Sequence, residues 1–181
     1  PGVDFKIGFV NLYTDSDGVT RSFTPYVLGI EDHDHFSVVV VESLGISRDL
    51  GTSRRLINFN SEPGGYEYIP FSDVYNNIVE PSKFDGKIVL IGATAANLHD
   101  DVIVPISDKA MPGVEVNANL VQSILMEDYL YYQDDITAIS IIFLVAIFAG
   151  LILFRFRIHI ATALIAMLAI AYILLSIYMF D

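Results

Sequence analysis

Ile136-Thr-Ala-Ile-Ser-Ile-Ile-Phe-Leu-Val-Ala-Ile-Phe-Ala-Gly-Leu-Ile-Leu-Phe154 runs for 19 residues without a charge, and thirteen of them are Ile, Leu, Val or Phe. As an α-helix rising ~1.5 Å per residue it is ~29 Å long, about the thickness of a bilayer's hydrocarbon core. Its large apolar side chains favour insertion by roughly 4 to 8 kcal/mol. A buried core helix is usually shorter and carries a polar face, which this run lacks. A second apolar run, Ile160–Phe180, follows the link Arg155-Phe-Arg-Ile-His159, so short that the pair must form a tight helical hairpin.

The flanks of the hairpin give it a direction. The link holds two arginines and no acid, whereas Asp134, Asp135 and Asp181 lie at the other ends. The positive-inside rule then puts the link in the cytoplasm and residues 1–135 outside. Tyr129, Tyr131 and Tyr132, just before the first span, fit an interfacial aromatic belt, although Tyr is also common in domain cores.

Residues 1–135 hold 21 of the 22 acids and 8 of the 10 Lys and Arg, so the first part of the chain is an acidic, water-soluble domain joined to a membrane segment. A wholly soluble protein, a disordered chain and a basic nucleic-acid binder are excluded, the last because an acidic surface repels phosphate. Cysteine is absent, which excludes disulfides, thiolate metal sites and a Cys nucleophile. The chain starts at Pro1 without a basic-then-apolar leader, and is read as a processed chain or a fragment.

In the acidic part, Phe5–Leu12 and Val19–Val27 read as strands around the turn Asp15-Ser-Asp-Gly18. Glu31-Asp-His-Asp-His35 reads as a solvated polar loop rather than a metal site. Phe36–Leu44 favours a strand by its valines but also fits a buried helix. Leu56–Phe59 is a short strand, and Phe71–Ile78 a short helix. Lys87-Ile-Val-Leu-Ile-Gly92 reads as a buried strand ending at a glycine. Residues 97–111 look irregular. Val114–Met126 is amphipathic, with Val116, Leu120, Val121, Ile124 and Leu125 on one face and Glu115, Asn119 and Gln122 on the other. Strands alternating with helices predict an α/β domain, a mixed sheet with packed helices.

No segment makes a convincing catalytic constellation. Asp15-x-Asp-Gly opens like a calcium loop, but Thr20 and Tyr26 stand where an EF-hand needs Gly and Glu. The turn is therefore a hairpin whose Gly18 takes positive φ. Arg21 either pairs with Asp15 or Asp17 or offers a cation to an anionic ligand. His99-Asp100-Asp101 follows the run ending at Gly92, and ligands often sit beyond the carboxyl ends of strands. Asp100 either lines such a site or anchors an irregular loop. Gly86-Lys87 is no P-loop, and neither dinucleotide, hydrolase, zincin nor kinase signatures occur.

The order of short motifs carries more than any one of them. Asp15-x-Asp-Gly-Val-x-Arg21 is followed by Leu56-Ile-Asn-Phe59, a Ser72-Asp-Val helix, and Phe84-x-Gly-Lys-Ile-Val-Leu-Ile-Gly-Ala-Thr94. A loop with Asp100 and Pro105 then leads to Met111-Pro-Gly-Val-Glu-Val-Asn-Ala-Asn119. Over roughly residues 5–132 this resembles the second half of a type-two CHASE domain (CHASE2), the sensory extracellular module of bacterial receptors. The resemblance implies an extracytoplasmic sensor, typically three spans, and a cytoplasmic nucleotide cyclase, diguanylate cyclase or kinase as output. It also implies a helix at Phe36–Leu44. The family's anchor and the N-terminal portion of its sensor have no counterpart in the sequence. Asn117 stands where the family often has His.

The resulting expectation is an α/β sensor domain plus a transmembrane helical hairpin. Residues 1–135 form the N-terminally incomplete sensor, 136–154 and 160–180 the spans, and 155–159 the cytoplasmic link. The protein is expected in a bacterial inner membrane as a multi-pass receptor part, without cofactor or metal. Its partners are the lipid bilayer, an unidentified extracytoplasmic ligand or protein, and a second copy through the membrane helices, but no nucleic acid. Asp17, Arg21, Asp100 and Asn117 are expected to form a shared ligand site near strand ends. Two rival classes stand beside this one: an extracytoplasmic enzyme using Asp100, Asp101 and Asp17, and a structural membrane module.

Overall fold

A computed structural model describes residues 5–27, 33–94, 100–130 and 134–180, and divides the chain into two compact units, Pro1–Tyr132 and Gln133–Asp181. The first contains β1 (Leu12–Thr14), β2 (Thr20–Phe23), β3 (Tyr26–Val27), β4 (His33–Asp34), α1 (Phe36–Ser43), β5 (Arg55–Leu56) and α2 (Phe71–Tyr75). After a 3-10 turn at Pro81–Phe84 come β6 (Asp101–Val102), β7 (Met111–Pro112) and α3 (Gly113–Met126). The second contains α4 (Asp135–Arg155) and α5 (Ile158–Phe180).

The sheets are small. β1, β2 and β5 form a three-stranded antiparallel sheet, while β3 pairs with β4 and β6 with β7. The β1–β2 hairpin closes through Gly18 at φ 83, with the Gly18 N–H donating to the Asp15 carbonyl at 2.9 Å. A β-branched residue resists that φ, so Gly18→Val is expected to cost about 1–3 kcal/mol. An unchanged melting temperature in the purified protein would remove this assignment of the turn.

α3 is the organising element. Val116 and Leu120 pack with Phe23, Ile57, Val104 and Met111 in one core cluster. Val121 and Ile124, further round the same helix, pack with Val38, Val41 and Leu50 in a second. Burying each of these side chains stabilises the fold by roughly 1.5–3 kcal/mol. α3 ends at Glu127, which takes the left-handed conformation at φ 57 so that its N–H and that of Asp128 turn back onto the Ile124 and Ser123 carbonyls.

Phe36–Ser43 is a helix, as the family resemblance implied. Its valines would suit a strand, but Val38 and Val41 are buried against α3. Packing has overridden propensity there.

Several expectations are corrected. Phe5–Leu12 is not a continuous strand: Phe5, Ile7 and Val10 are exposed, Phe9 makes an isolated parallel bridge with His35, and the ladder begins at Leu12. The returning strand breaks at Thr24-Pro25 into β2 and β3, because proline has no N–H for a ladder. Lys87–Gly92 is not a buried strand either, and Ile91 is 79% exposed. No described strand lies beside it to take its backbone groups, and the Lys87 N–H bonds back to the Phe84 carbonyl. Gly92 does sit tightly on α3, where an added Cβ would fall 2.5 Å from that of Val114.

In the second unit, Asp134 caps α4 by accepting the Thr137 N–H at 3.2 Å, and Arg155 occupies its last turn. Both charges complement the helix dipole. α4 and α5 are each long and apolar enough to cross a membrane. Tyr129 belongs to the first unit, where it packs against the α1–α3 cluster and donates to the Ile124 carbonyl at 3.3 Å. Tyr131 and Tyr132 lie outside the described residues.

Candidate functional site

The β1–β2 turn carries an ion cluster. The i,i+4 spacing of Asp17 and Arg21 across the turn lets the guanidinium bond both Asp17 oxygens, at 2.9 and 2.7 Å, and Asp15 at 2.9 Å. Arg54 reaches the other Asp15 oxygen at 2.7 Å, donates to the Ser22 hydroxyl, and stacks 5.0 Å over the Tyr13 ring. The Arg21 guanidinium, helped by the Val19 N–H, holds Asp17 down at about 2. Arg21 and Arg54 together hold Asp15 below the usual carboxylate range. Arg21 is in turn pushed up by Asp17 and Asp15, so the cluster stays fully ionised at neutral pH. Arg21 therefore pairs with both acids at once.

Asp100 and Asn117 meet at Gly113. The Asp100 carbonyl accepts the Gly113 N–H at 2.7 Å, and a Cβ on Gly113 would lie 2.8 Å from an Asp100 carboxylate oxygen. Asn117, one turn along α3, is 8% exposed and donates from Nδ2 to the Gly113 carbonyl at 2.9 Å. Its Oδ1 is buried and has no hydrogen-bond partner among the described residues. The two pairs lie on adjoining segments, since the Thr20 N–H bonds the Ile103 carbonyl at 2.8 Å beside a Val19–Ile103 bridge. Each pair is thus assembled by its own local contacts. Asp101 is exposed in β6, and His99, Glu31 and Asp32 lie outside the described residues.

Sequence reasoning missed three buried polar residues on α3. Glu115 and Asn119 do not face solvent: they are 3% and 0% exposed. Both Glu115 oxygens accept the Gly64 N–H at 3.0 Å, Asn119 accepts the Ser61 N–H at 3.0 Å, and Ser123 donates to the Asn58 carbonyl at 2.8 Å. The loop over residues 58–66 is laced onto the helix this way. Tyr66 donates to Gln122 at 2.8 Å, and burial, with Glu115 nearby, pushes its hydroxyl up to about 12. The signal was present: Glu115, Asn119 and Ser123 recur every four residues and so share one face.

His35 was also misread as part of a solvated loop. It is fully buried, with the Phe9 and Phe23 ring centroids 5.2 and 5.3 Å from its own in edge-to-face arrangements. Its Nδ1 caps α1, accepting the Ser37 N–H at 3.3 Å, with the Ser37 hydroxyl at 2.8 Å.

The segment leaving α3 is tied to the sheet. Glu127 pairs with Arg48 at 2.5 Å, the Arg55 guanidinium lies 5.6 Å over the Tyr129 ring, and Leu130 bridges Leu56 in β5. A family model for the CHASE2 domain matches residues 4–153, spanning the elements from β1 through most of α4. This chain belongs to the CHASE2 family. CHASE2 is a sensory extracellular domain of receptors, and the match extends the CHASE2 unit into the first apolar helix. No curated protein and no solved structure matches this CHASE2 chain.

Proposed function

We propose that the chain is the extracytoplasmic sensing region of a bacterial membrane receptor, non-catalytic itself, which passes a signal through its transmembrane helices to a cytoplasmic cyclase or kinase. The observation that carries this reading is the CHASE2 match running from the sensor into α4. The strap formed by Glu127, Tyr129 and Leu130 on Arg48, Arg55 and Leu56 supports it, because α3 and the sheet then both report to the segment that enters the membrane. A signal acts by binding two arrangements of that strap with different affinity. Asp17, Arg21, Asp100 and Asn117 remain the proposed ligand-facing residues, supported by the adjoining segments that carry them.

Charge reversal at Glu127 tests the conduit. The Arg48–Glu127 pair lies at the surface, with Glu127 more than half exposed and Arg48 half-buried, so Glu127→Lys is expected to change stability by no more than ~1 kcal/mol. In the full-length receptor the same change is expected to shift output severalfold. Unchanged output at normal expression would sink the conduit. The Asp100→Ala variant separates the ligand site from loop anchoring, since altered signalling with intact folding supports the former.

Sidedness has its own test. A cysteine at Phe156 should resist an impermeant thiol reagent in intact cells, and one at Ser61 should label readily. The opposite pattern would reverse the proposed orientation.

A further inference from the structure

The membrane unit holds an apolar groove of about 350 Å³ between α4 and α5. Phe148 and Ile152 form one wall, Leu164, Met167 and Ala171 the other, and Phe156 lines it beside the link. Near the link the helices touch, with Ala161 fully buried and Ile152 8% exposed. Water gains nothing from a surface of this kind, so within a bilayer the groove takes a hydrocarbon chain.

The link supplies the second half of the argument. The Arg155 guanidinium stands 5.9 Å over the ring of Phe156, the same residue that lines the groove. Arg157 is two residues on and exposed. Neither arginine pairs with an acid among the described residues. The acids of this part of the sequence, Asp134, Asp135 and Asp181, flank the far ends of both helices. Two unneutralised guanidinium groups at headgroup level beside an acyl-sized groove match one class of molecule. Guanidinium binds phosphate bidentately, and basic pockets between membrane helices hold anionic headgroups.

We infer that an anionic diacyl phospholipid binds this hairpin, its phosphate on Arg155 and Arg157 and one acyl chain in the groove. The inference rests on the reading of α4 and α5 as membrane-spanning, but does not depend on which side the link faces. Zwitterionic lipid would fill the groove with no gain at the arginines.

The full chain has no tryptophan, so one placed in the groove reports locally. Leu164→Trp protein in phosphatidylcholine vesicles is titrated with brominated phosphatidylglycerol, then with brominated phosphatidylcholine. Each basic residue near a membrane surface contributes about fivefold. Quenching of the indole in the Leu164→Trp protein is therefore expected to favour phosphatidylglycerol by about 5- to 25-fold. Arg155→Gln with Arg157→Gln should bring that preference close to one, and Ala171→Phe should reduce quenching by both lipids. Equal quenching by the two lipids in the Leu164→Trp protein with both arginines intact would overturn the inference. So would quenching by neither lipid while a Phe154→Trp reporter is still quenched, since Phe154 is 92% exposed and the groove would then be covered by another helix. If the Phe154→Trp reporter also escapes quenching, the hairpin is not in the bilayer and the membrane reading itself fails.

Discussion

Acidification from pH 7 to pH 4.5 should remove about 2.4 kcal/mol of stability from the sensor through His35 alone. Burial drives the pKa of this histidine down from 6.5 to about 4, with the Asn11 carbonyl pulling it slightly back up. Nδ1 accepts the Ser37 N–H, which places the ring proton on Nε2. A second proton would take away the cap's acceptor and put a positive charge at the N-terminus of α1, against its dipole. The sign follows from these facts. The folded pKa lies below the unfolded one, so between about pH 6.5 and 4 the unfolded chain binds more protons and stability drops as the pH is lowered. Above 6.5 the contribution is fully present. Below 4 both states are charged and the loss is complete. At about 1.4 kcal/mol per pKa unit, the whole shift from 6.5 to about 4 corresponds to about 3.5 kcal/mol, of which about 2.4 is lost between pH 7 and 4.5. His35→Asn keeps a capping oxygen and removes the titration. The measurement is unfolding free energy against pH for both proteins in detergent. Their difference should shrink by about 2.4 kcal/mol between pH 7 and 4.5, and a constant difference would refute the assignment. Asp15 and Asp17, held low by arginine, lose their pairs only at more acid pH.

The elements legible in the sequence are those set by local pattern. α3 announced itself by its 3.6-residue apolar stripe, α4 and α5 by length and absence of charge, and the β1–β2 turn by Asp-x-Asp-Gly. The Asp17–Arg21 pair was equally legible, because a tight turn brings residues four apart together. What was not legible depends on partners distant in sequence. Lys87–Gly92 has strand composition, but a strand exists only when another takes its hydrogen bonds. His35 sits among acids in the chain, yet the fold encloses it between Phe9 and Phe23. The meeting of Asp100 with Asn117 needed a glycine at 113 close enough to touch a carboxylate, which spacing alone does not reveal. The polar face of α3 was seen, but not what it meets. Amphipathicity separates two faces without saying whether the polar one meets water or a loop.

The buried polar face of α3 locates the most consequential substitution. Glu115→Ala is expected to destabilise the sensor by about 2–3 kcal/mol, because it strands the Gly64 N–H beneath the loop with no acceptor. Asn119→Ala should cost a similar amount through the Ser61 N–H, which its Oδ1 accepts. Both anchors hold one loop, so once the first is lost the second has less to hold. The double variant should therefore fall short of the summed single effects. Local and global consequences separate in hydrogen exchange. The amides of Ser61 and Gly64 should exchange about 30- to 160-fold faster in Glu115→Ala, since 2–3 kcal/mol corresponds to that range. Amides of the membrane helices should keep their protection. If Gly64 stays protected in Glu115→Ala, the carboxylate does not anchor the loop. If the two substitutions are strictly additive, the loop is not held as a unit. Either result would return α3 to the role that its apolar stripe alone assigns, a core helix whose other face carries no structural charge. The expected result makes it a helix fastened on both sides, by apolar packing to the sheet and α1 and by buried hydrogen bonds to the 58–66 loop. Such a helix moves as one piece with the parts of the sensor it touches, and that rigidity is what a conduit from ligand to membrane requires.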